Sequence, residues 1–443
     1  MQRRTLLAGS AALLAAPLVR PALAEGGMKV VFWHAMTATL ADEVNRLAAA
    51  FNAAQTEVTI TPVYKGGYAD TMTATIAAFR AGQAPHLVQI FEVGTASMLA
   101  AGKAVKQIWE LTKETGAAID PGVYIPAVRD YYSLADGRMA AMPFNSSTAV
   151  MWINKDAFAR AGLDPAKPPE TWPEVEQAAR TIKAKGAANV ALTTSWPCWI
   201  QFEQYSALHD IPFATKANGF EGLDTELAVN NPAQVRHVER LLALGKEGVF
   251  RYAGRDTAPD PMIESGQAAI SFGSSAQRGN LVKNAKFAWA PAMLPYDPAI
   301  IAKPRNSIIG GASLWPMTAP GRTPAEYNAV ARFLLFLSTP ENAAAWHQNT
   351  GYVPVTTAGY ELSRKQGYYE RNPGADLPIA QLLHRGTPDA NTRGVRLGRL
   401  PEIRNIVQEE FERALAGEQA AQPAMDAAVR RANKVLREFQ RSV

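Results

Sequence analysis

The sequence Lys29-Val-Val-Phe-Trp33 begins the alternation of strands and helices that decides the fold of this chain. It is a short apolar run typical of a buried strand, and Glu57-Val-Thr-Ile-Thr-Pro-Val63 and Leu87-Val-Gln-Ile-Phe91 are two more strand patterns. Two apolar helical faces separate these strands, one formed by Leu40, Val44, Leu47 and Phe51 and one marked by Met72, Ile76 and Phe79. This β-α-β-α-β order predicts an α/β lobe with a mainly parallel sheet. Ligands usually bind in the crevice at the carboxyl ends of such strands.

A second group of strand patterns lies further along the chain, at 148–154, 189–194 and 268–273. The segment Asn154-Lys-Asp-Ala-Phe-Ala-Arg-Ala-Gly-Leu-Asp-Pro165 predicts a short helix after the first of them, ending at Gly162. From about residue 324 the apolar spacing is helical, and a last amphipathic helix runs from about Met425 to the end. The sequence shows no internal repeat and no long flexible linker.

Length and charge limit the possible functions. The chain has 443 residues, of which 47% are apolar and 19% are charged, so it is globular and long enough for two or three domains. Lys and Arg number 45 and Asp and Glu number 40, which gives a formal charge of +5. Arg3, Arg4 and Arg20 lie in the first 24 residues, which contain no acid, so the remainder carries 42 minus 40, or +2. Such a small charge predicts no binding to nucleic acid or to an anionic membrane.

Cysteine and histidine usage argues against a metal site. Cys198 is the single cysteine, so the chain forms no internal disulfide and no cysteine zinc cluster. The six histidines are scattered, and no pair has the i,i+4 spacing of a zinc-binding helix. We therefore predict neither a metal nor a cofactor.

The first 24 residues have the pattern of a bacterial secretory signal. A basic start is followed by an apolar stretch too short to span a bilayer comfortably, and Ala22-Leu23-Ala24 offers a cleavage site. The pair Arg3-Arg4 before two leucines favours the twin-arginine route. A Sec signal that carries two arginines is the alternative. Either route predicts a mature protein in the periplasm.

Several strings of residues resemble a known family. The 154–165 segment, followed by Glu170-Thr-Trp-Pro-Glu174, is similar to a signature of the extracellular solute-binding proteins (family 1) that serve ABC importers. Four longer strings resemble the periplasmic branch of that family that binds sn-glycerol 3-phosphate, and they occur in order over nearly the whole mature chain. They are Pro143-Phe-Asn-Ser-Ser-Thr148, Ile308-Ile-Gly-Gly-Ala-Ser-Leu-Trp315, Pro340-Glu-Asn-Ala-Ala-Ala-Trp-His-Gln-Asn-Thr-Gly-Tyr352 and Leu397-Gly-Arg-Leu-Pro-Glu-Ile-Arg404.

The resemblance implies two α/β lobes that close on a ligand by a hinge, with a chain that crosses between lobes more than once. On this basis we predict an N-terminal lobe from 25–146 and 276–330, and a C-terminal lobe from 147–275 and 331–443. The resemblance also implies a monomer that captures sn-glycerol 3-phosphate and delivers it to the permease subunits of an ABC importer in the inner membrane.

The resemblance also implies a set of ligand contacts. A guanidinium offers a charged, planar fork, so Arg404 is the predicted phosphate anchor, rather than an arginine in a surface salt bridge. Ser147 and Ser274, near strand ends, can each donate a hydrogen bond to the phosphate, unless they only cap turns. Gly311 allows a close approach of a backbone N–H. Ser146 and Ser275 are weaker candidates than their neighbours.

The predicted contacts to the rest of the ligand are aromatic and acidic. Tyr68 and Tyr352 add phenol donors, although a tyrosine is more often part of a core. Trp196 and Trp199 bracket Pro197-Cys198 and pack against the glycerol carbons. Glu92, at the end of a strand, accepts from the glycerol hydroxyls. Because a carboxylate repels a phosphate, we expect Glu92 at the end of the ligand opposite to Arg404.

Two other functions remain open on the sequence. The same binding role could serve glycerophosphodiesters such as glycerophosphocholine, since a single sequence does not give the volume beside Arg404. A secreted hydrolase would need an activated nucleophile or a carboxylate pair, and the sequence contains no G-x-S-x-G, H-E-x-x-H or P-loop motif. The segment 287–296, with Trp289 and Pro291, departs from the Gly-rich loop of better-known relatives, which puts only the local loop shape in doubt.

Overall fold

Two five-stranded sheets organise the chain in the computed structural model, which describes residues 27–384, 386 and 388–443. The predicted signal peptide, 1–24, lies outside the described residues. The strands are β1 (Met28–His34), β2 (Val58–Tyr64), β3 (Leu87–Phe91), β4 (Met142–Ser147), β5 (Ala149–Asn154), β6 (Val190–Thr194), β7 (Phe250–Arg251), β8 (Ala268–Ser274), β9 (Trp289–Ala292) and β10 (Gly310–Pro316).

Helices surround both sheets. The α-helices are Ala38–Ala53, Tyr68–Arg80, Thr95–Ala100, Ile108–Thr115, Pro126–Arg129, Lys155–Ala161, Trp172–Ala184, Tyr205–Leu208, Pro232–Lys246, Asp260–Glu264, Arg278–Asn284, Pro324–Leu337, Pro340–Thr350, Thr357–Lys365, Tyr368–Arg371, Leu377–Leu382, Leu400–Leu415 and Ala421–Ser442. Short 3₁₀ turns are Glu92–Gly94, Gly102–Ala104, Pro121–Val123 and Ser275–Gln277, and Cys198–Gln204 is π-helical. The turn Thr215–Gly219 is left-handed, since its three central residues have φ between 48° and 56°.

The first sheet has the strand order β2-β1-β3-β10-β4. β1 is parallel to β2 and to β3, as the opening sequence predicts, but β10 is antiparallel to both of its neighbours. Four of the five strands of this sheet therefore run in the same direction, as predicted, and β10 is the reversed one. β10 enters it from the second sheet and not through a crossover helix on the same sheet, so it runs in the opposite direction. The second sheet, β7-β6-β8-β5-β9, repeats this mixture.

The predicted lobe boundaries differ from the observed sheets in two places. We placed 276–330 in the N-terminal lobe, but β9 pairs with β5 of the second sheet. We placed 331–443 in the C-terminal lobe, but Phe333 and Trp346 pack against the first sheet and its helices. The ring of Phe333 lies 5.3 Å from that of Phe51, and Trp346 lies 4.6 Å from Phe144. Apolar spacing identifies these elements but not the sheet that they cover.

The chain passes from the first sheet to the second through Thr148 and returns through 293–309. Hydrogen bonds join these two crossings to each other. Thr148 Oγ1 donates to the backbone oxygen of Ile308 at 2.9 Å and lies 2.8 Å from Ser307 Oγ. Gln204 contacts Ile308 twice, as donor to its oxygen at 2.7 Å and as acceptor from its N–H at 2.9 Å. The crossings therefore form one bonded unit between the two sheets.

Helix Tyr68–Arg80 forms where the sequence predicts it, but its apolar face is not the buried one. Ile76 is 43% exposed and Phe79 is 38% exposed, whereas Thr71 and Thr75 are buried. In the part of the chain that the structure describes, no helix has the length and apolarity needed to cross a bilayer.

Candidate ligand-binding site

A cavity of about 350 Å³ lies where strand ends of the two sheets meet. Ser147 ends β4 and Ser274 ends β8, while Gly310 and Gly311 begin the antiparallel β10. All nine residues that the sequence predicts as ligand contacts line this cavity. They are Tyr68, Glu92, Ser147, Trp196, Trp199, Ser274, Gly311, Tyr352 and Arg404. Their use by a ligand stays a prediction, which their convergence supports.

The two tyrosines meet at one side of the cavity. The hydroxyl oxygens of Tyr68 and Tyr352 are 3.4 Å apart, and the ring of Tyr68 stacks on Phe91 at 5.4 Å. Asn145 Nδ2 donates to the Tyr68 hydroxyl at 2.9 Å, so that oxygen acts as an acceptor and its own hydrogen points elsewhere. Gln89 Nε2 in turn donates to Asn145 Oδ1 at 2.7 Å, which fixes the orientation of the Asn145 amide.

Burial keeps both phenols protonated. It raises the pKa of Tyr68 well above its ordinary value, and the neighbouring hydroxyl of Tyr352 adds to this rise. Burial likewise raises the pKa of Tyr352, although its hydrogen bond with Tyr68 partly opposes it. A protonated phenol that already accepts a hydrogen bond can still donate its own. This side of the cavity therefore offers neutral hydrogen-bond donors.

Two of the four candidate serines line the cavity. Ser147 is buried and lines the cavity, and Ser274 lines it while accepting a hydrogen bond from the Ala276 N–H at 3.2 Å. Ser274 is thus a turn cap and a cavity residue at once, because a hydroxyl that accepts retains its hydrogen. Ser275 accepts from the Thr148 N–H at 3.2 Å, beside the crossing. Neither it nor Ser146 lines the cavity.

Both glycines of the Gly310-Gly311 pair are required by close contacts. Gly311 has φ of +104°, and a Cβ there would lie 2.1 Å from the Asn145 carbonyl oxygen. A Cβ on Gly310 would lie 2.6 Å from the indole of Trp199. Gly310 therefore lets the indole approach the backbone closely, and Gly311 lets β10 approach β4 closely.

The two tryptophans have different environments. Trp196 has φ of 46°, an unfavourable conformation for a bulky residue, of the kind that often occurs at binding sites. Trp199 belongs to the π-helical segment, is 5% exposed, and its Nε1 has no hydrogen-bond partner among the residues described. Wide π turns are frequent at functional sites. Here the turn places Trp199 in the cavity wall and Glu203 behind it.

Arg404, from helix Leu400–Leu415, lies between two carboxylates. Its Nε donates to Glu203 Oε1 at 2.6 Å and its Nη2 to Glu203 Oε2 at 2.7 Å, and Nη2 also donates to Glu92 Oε1 at 2.9 Å. Burial lowers the pKa of Arg404, but the two carboxylates outweigh it and the net shift is upward. Burial raises the pKa of Glu92, although Arg404 opposes that rise. This group of three side chains carries a formal charge of −1.

The predicted separation of Glu92 from Arg404 is therefore wrong. We expected them at opposite ends of a ligand, yet Glu92 Oε1 and Arg404 Nη2 are hydrogen-bonded. A buried guanidinium needs carboxylate partners because an unpaired charge is costly away from water. The two side chains are therefore neighbours in the cavity wall.

Two further carboxylates line the cavity. Asp260 and Glu264, at the two ends of helix Asp260–Glu264, line it together with Gln277 and Asn280. Ser195 Oγ donates to Asp260 Oδ1, and Gln277 Nε2 donates to the Asp260 backbone oxygen at 3.2 Å. Burial raises the pKa of Asp260 to about 7, with a further contribution from Glu264. The described part of the chain contains no group of His, Cys, Asp and Glu suited to a metal ion.

Comparison with known proteins identifies the family. A model of the bacterial extracellular solute-binding proteins matches residues 46–374. A relative from Pectobacterium atrosepticum, the sn-glycerol-3-phosphate-binding periplasmic protein UgpB, is 45% identical over 441 residues, covering 99% of this chain and 98% of the relative. The protein of the same name from Salmonella typhimurium is 46% identical and covers 93% of each chain. The chain is a solute-binding protein of this family.

Solved structures give the same fold at low identity. UgpB from Mycobacterium tuberculosis in complex with glycerophosphocholine has a TM-score of 0.76 with 20% identity, covering 94% of this chain and 100% of that one. The cyclic alpha-maltosyl-1,6-maltose binding protein from Arthrobacter globiformis has a TM-score of 0.73 with 22% identity, covering 93% and 100%. The two-lobed fold that the sequence implies is thereby confirmed for this solute-binding protein.

Sequence reasoning missed several residues of the site in this solute-binding protein. Glu203, the bidentate partner of Arg404, was not singled out, nor was Asn145, which orients Tyr68. Asp260 was also missed. Asn145 lies within the string Pro143–Thr148, and Glu203 lies four positions after Trp199, so a search for polar residues next to predicted contacts could have found them. Asp260 lies in an unremarkable segment, and only the fold brings it to the cavity.

Proposed function

We propose that this protein is the periplasmic binding component of an ABC importer, that it captures sn-glycerol 3-phosphate or a compound containing that group, and that it delivers its ligand to permease subunits in the inner membrane. The observation that carries the proposal is the convergence of the nine predicted contacts on one cavity. The similarity to periplasmic sn-glycerol-3-phosphate-binding proteins over nearly the full chain supports the same ligand.

The charges of the cavity suggest how the ligand is oriented. The phosphate belongs with the neutral donors, which are the hydroxyls of Tyr68, Tyr352, Ser147 and Ser274 and the backbone N–H of Gly311. The glycerol hydroxyls belong with Arg404 and Glu92, which together offer a donor and an acceptor to a diol. This orientation gives the phosphate neutral donors and leaves Arg404 paired with Glu92 and Glu203. It revises the predicted role of Arg404 from phosphate anchor to diol contact.

Binding is coupled to closure in this proposal. The ligand bridges side chains from both sheets, such as Ser147 on one and Ser274 on the other, so it stabilises the form in which the two sheets close on it. The bonded unit at Thr148, Ser307 and Ile308 is the proposed hinge. Transport needs no chemical step on this chain, and we propose that the protein is not an enzyme.

Calorimetric titration of the mature protein with sn-glycerol 3-phosphate tests the proposal. We expect one-to-one binding of sn-glycerol 3-phosphate, and no comparable binding of inorganic phosphate, which cannot use Arg404 and Glu92 as diol partners. Glycerophosphocholine in parallel distinguishes monoester from diester. Absence of binding by both glycerol compounds would refute the ligand while leaving the family assignment intact. Release of phosphate or of the head group during the titration would instead support a hydrolase.

A further inference from the structure

A chain of hydrogen bonds leads from the backbone just after β1 to the tyrosine side of the cavity. The Ala35 N–H donates to Gln89 Oε1 at 2.8 Å, and Gln89 Nε2 donates to Asn145 Oδ1 at 2.7 Å. Asn145 Nδ2 then donates to the hydroxyl oxygen of Tyr68 at 2.9 Å. Of these four residues only Tyr68 lines the cavity. We call the four residues the amide relay.

The two amides of the relay are held inside the first sheet. Gln89 lies on β3 and Asn145 lies on β4, and both side chains are fully buried. Because β10 separates these strands, the hydrogen bond between the two amides spans β10. Buried amides need partners within the protein, so neither side chain can turn without losing hydrogen bonds.

The direction of the relay is fixed at its backbone end. A backbone N–H can only donate, so the Ala35 N–H requires the oxygen of Gln89, and the nitrogen of Gln89 is left to face Asn145. Asn145 must then present its oxygen to Gln89 and its nitrogen to Tyr68. With the Gln89 amide reversed, a donor would face a donor at Ala35, and a buried N–H would be left without a partner.

The hydroxyl of Tyr68 receives the last hydrogen bond of the relay. Because it accepts from Asn145, its own hydrogen must point elsewhere, and the hydroxyl oxygen of Tyr352 is a distant acceptor at 3.4 Å. A reversed Asn145 amide would instead present its oxygen to Tyr68 and take up that hydrogen. The orientation of Gln89 therefore decides whether Tyr68 can donate to a ligand.

We propose that Gln89 is a positioning residue for ligand binding, which sets the hydrogen-bond direction that makes Tyr68 a donor to the phosphate although Gln89 itself does not line the cavity. This inference rests on the proposed function, because it concerns the same phosphate contact. The relay favours a ligand group that accepts a hydrogen bond at this position over a group that donates one.

Gln89→Glu tests the relay with a side chain of the same size. An ionised carboxylate only accepts, so the nitrogen of Asn145 must turn to it, and the oxygen of Asn145 then takes the hydrogen of Tyr68. A protonated carboxyl can donate as glutamine does, which restores the original direction. The ratio of the dissociation constants of Gln89→Glu and the unmodified mature protein for sn-glycerol 3-phosphate should therefore rise from about one at pH 5 to about tenfold at pH 8.

The Tyr68→Phe background separates the relay from direct repulsion between the introduced carboxylate and the phosphate. Without the phenol there is no hydrogen to redirect, so in this background Gln89→Glu should cause no rise between pH 5 and pH 8. A rise of the same size there would overturn the proposal. Other titratable groups of this region, among them Glu92, Tyr352 and His34, are the same in the two proteins of each ratio and cancel, as does the ionisation of the ligand.

Gln55→Glu is the matched control. Gln55 also accepts from a backbone N–H, that of Val58 at 2.8 Å, and donates to a backbone oxygen, also of Val58, at 2.6 Å, but it does not line the cavity and takes no part in the relay. The ratio of the dissociation constants of Gln55→Glu and the unmodified protein should stay near one at both pH values.

Gln89→Met is the second variant, and it decides the case in which Gln89→Glu fails to fold or its carboxyl stays protonated up to pH 8. It removes both hydrogen bonds of Gln89 without adding a charge, so the orientation of Asn145 is no longer fixed. We expect binding weaker by about three- to tenfold at both pH values, and no weakening in the Tyr68→Phe background. Full affinity in folded Gln89→Met would overturn the proposal. If the unmodified protein does not bind sn-glycerol 3-phosphate, the proposed function itself fails.

Discussion

Glu203 and Arg404 are joined by two parallel hydrogen bonds, Nε to Oε1 at 2.6 Å and Nη2 to Oε2 at 2.7 Å, although 201 positions separate them in the chain. The pair joins the π-helical segment Cys198–Gln204 to helix Leu400–Leu415. It fixes the orientation of the guanidinium, and in that orientation Nη2 also donates to Glu92. The conformation of Arg404 is therefore set by the protein before a ligand arrives, which lowers the entropic cost of binding.

Arg404→Ala should reduce both stability and binding. The substitution leaves Glu92 and Glu203 buried without their cation, and breaking a buried pair in this way costs about 3–5 kcal/mol. We therefore expect a lower urea midpoint together with loss of measurable sn-glycerol 3-phosphate binding. This differs from the expectation on sequence alone, in which only binding would be lost.

A surface arginine provides the control for that substitution. Arg399 pairs with Glu402 and Glu438, and its side chain is 42% exposed. Arg399→Ala should change the free energy of unfolding by no more than about 1 kcal/mol and leave affinity unaltered. Near-native affinity in folded Arg404→Ala would contradict the placement of Arg404 in the site.

Gly311→Ala should be far more destabilising than a comparable substitution elsewhere. A Cβ at 311 would clash with the Asn145 carbonyl oxygen and φ is +104°, so we expect a loss of about 3 kcal/mol or more. Gly321 has φ of +76° but no atom within 4 Å of an added Cβ, so Gly321→Ala measures the conformational cost alone, about 1–2 kcal/mol. Urea unfolding of both variants checks the difference. Equal losses of unfolding free energy would mean that the close approach of β10 to β4 adds nothing to the cost of the Gly311→Ala substitution.

Tyr68→Phe should weaken the binding of sn-glycerol 3-phosphate by about tenfold, as for the loss of one hydrogen bond to a charged group. The hydroxyl accepts from Asn145, so its own hydrogen is available to a phosphate oxygen. Tyr64 is 50% exposed and does not line the cavity, and Tyr64→Phe is the control. Calorimetry measures both affinities. An unchanged affinity for Tyr68→Phe would remove this phenol from the phosphate contacts.

Much of this fold follows from local patterns. The strand patterns at 29–33, 57–63 and 87–91 correspond to β1, β2 and β3, and the short helix capped by Gly162 is where the sequence predicts it. Such features depend on residues within a few positions of each other. The nine cavity residues were located through family resemblance, since composition and spacing alone would not have assigned Trp196 and Arg404 to one cavity.

The features that the sequence did not predict depend on contacts between distant parts of the chain. β9 joins the second sheet and Phe333 packs on the first. These positions are set by the points at which the chain passes between the sheets and not by local propensity. The apolar spacing of Ile76 and Phe79 indicated a helix but not which face it would bury. The position of Glu92 was predicted from repulsion with a ligand. The stronger requirement was a partner for the buried guanidinium of Arg404.

Asp260 should make stability depend on pH in a way that Asp260→Asn removes. Burial raises its pKa in the folded protein from 3.8 to about 7, so between these values the folded state binds more protons than the unfolded state. Stability from this group is therefore greatest near pH 4 and falls as the pH rises towards 7. Buried histidines such as His34 and His209, whose pKa burial lowers to about 4, act in the opposite direction. These histidines are present in the unmodified protein and in Asp260→Asn, so their contribution cancels when the two free energies of unfolding are subtracted.

The measurement is urea unfolding of the two proteins at pH 5 and pH 8. Asparagine can keep the hydrogen bond from Ser195 but has no charge to bury, so Asp260→Asn should be more stable than the unmodified protein at pH 8, by about 1–3 kcal/mol. At pH 5 the difference should shrink, because the folded unmodified protein then carries a neutral Asp260. Asp164→Asn, at a carboxylate whose side chain is 52% exposed, should show no such trend. A difference between Asp260→Asn and the unmodified protein that is the same at both pH values would mean that Asp260 is ionised throughout this range.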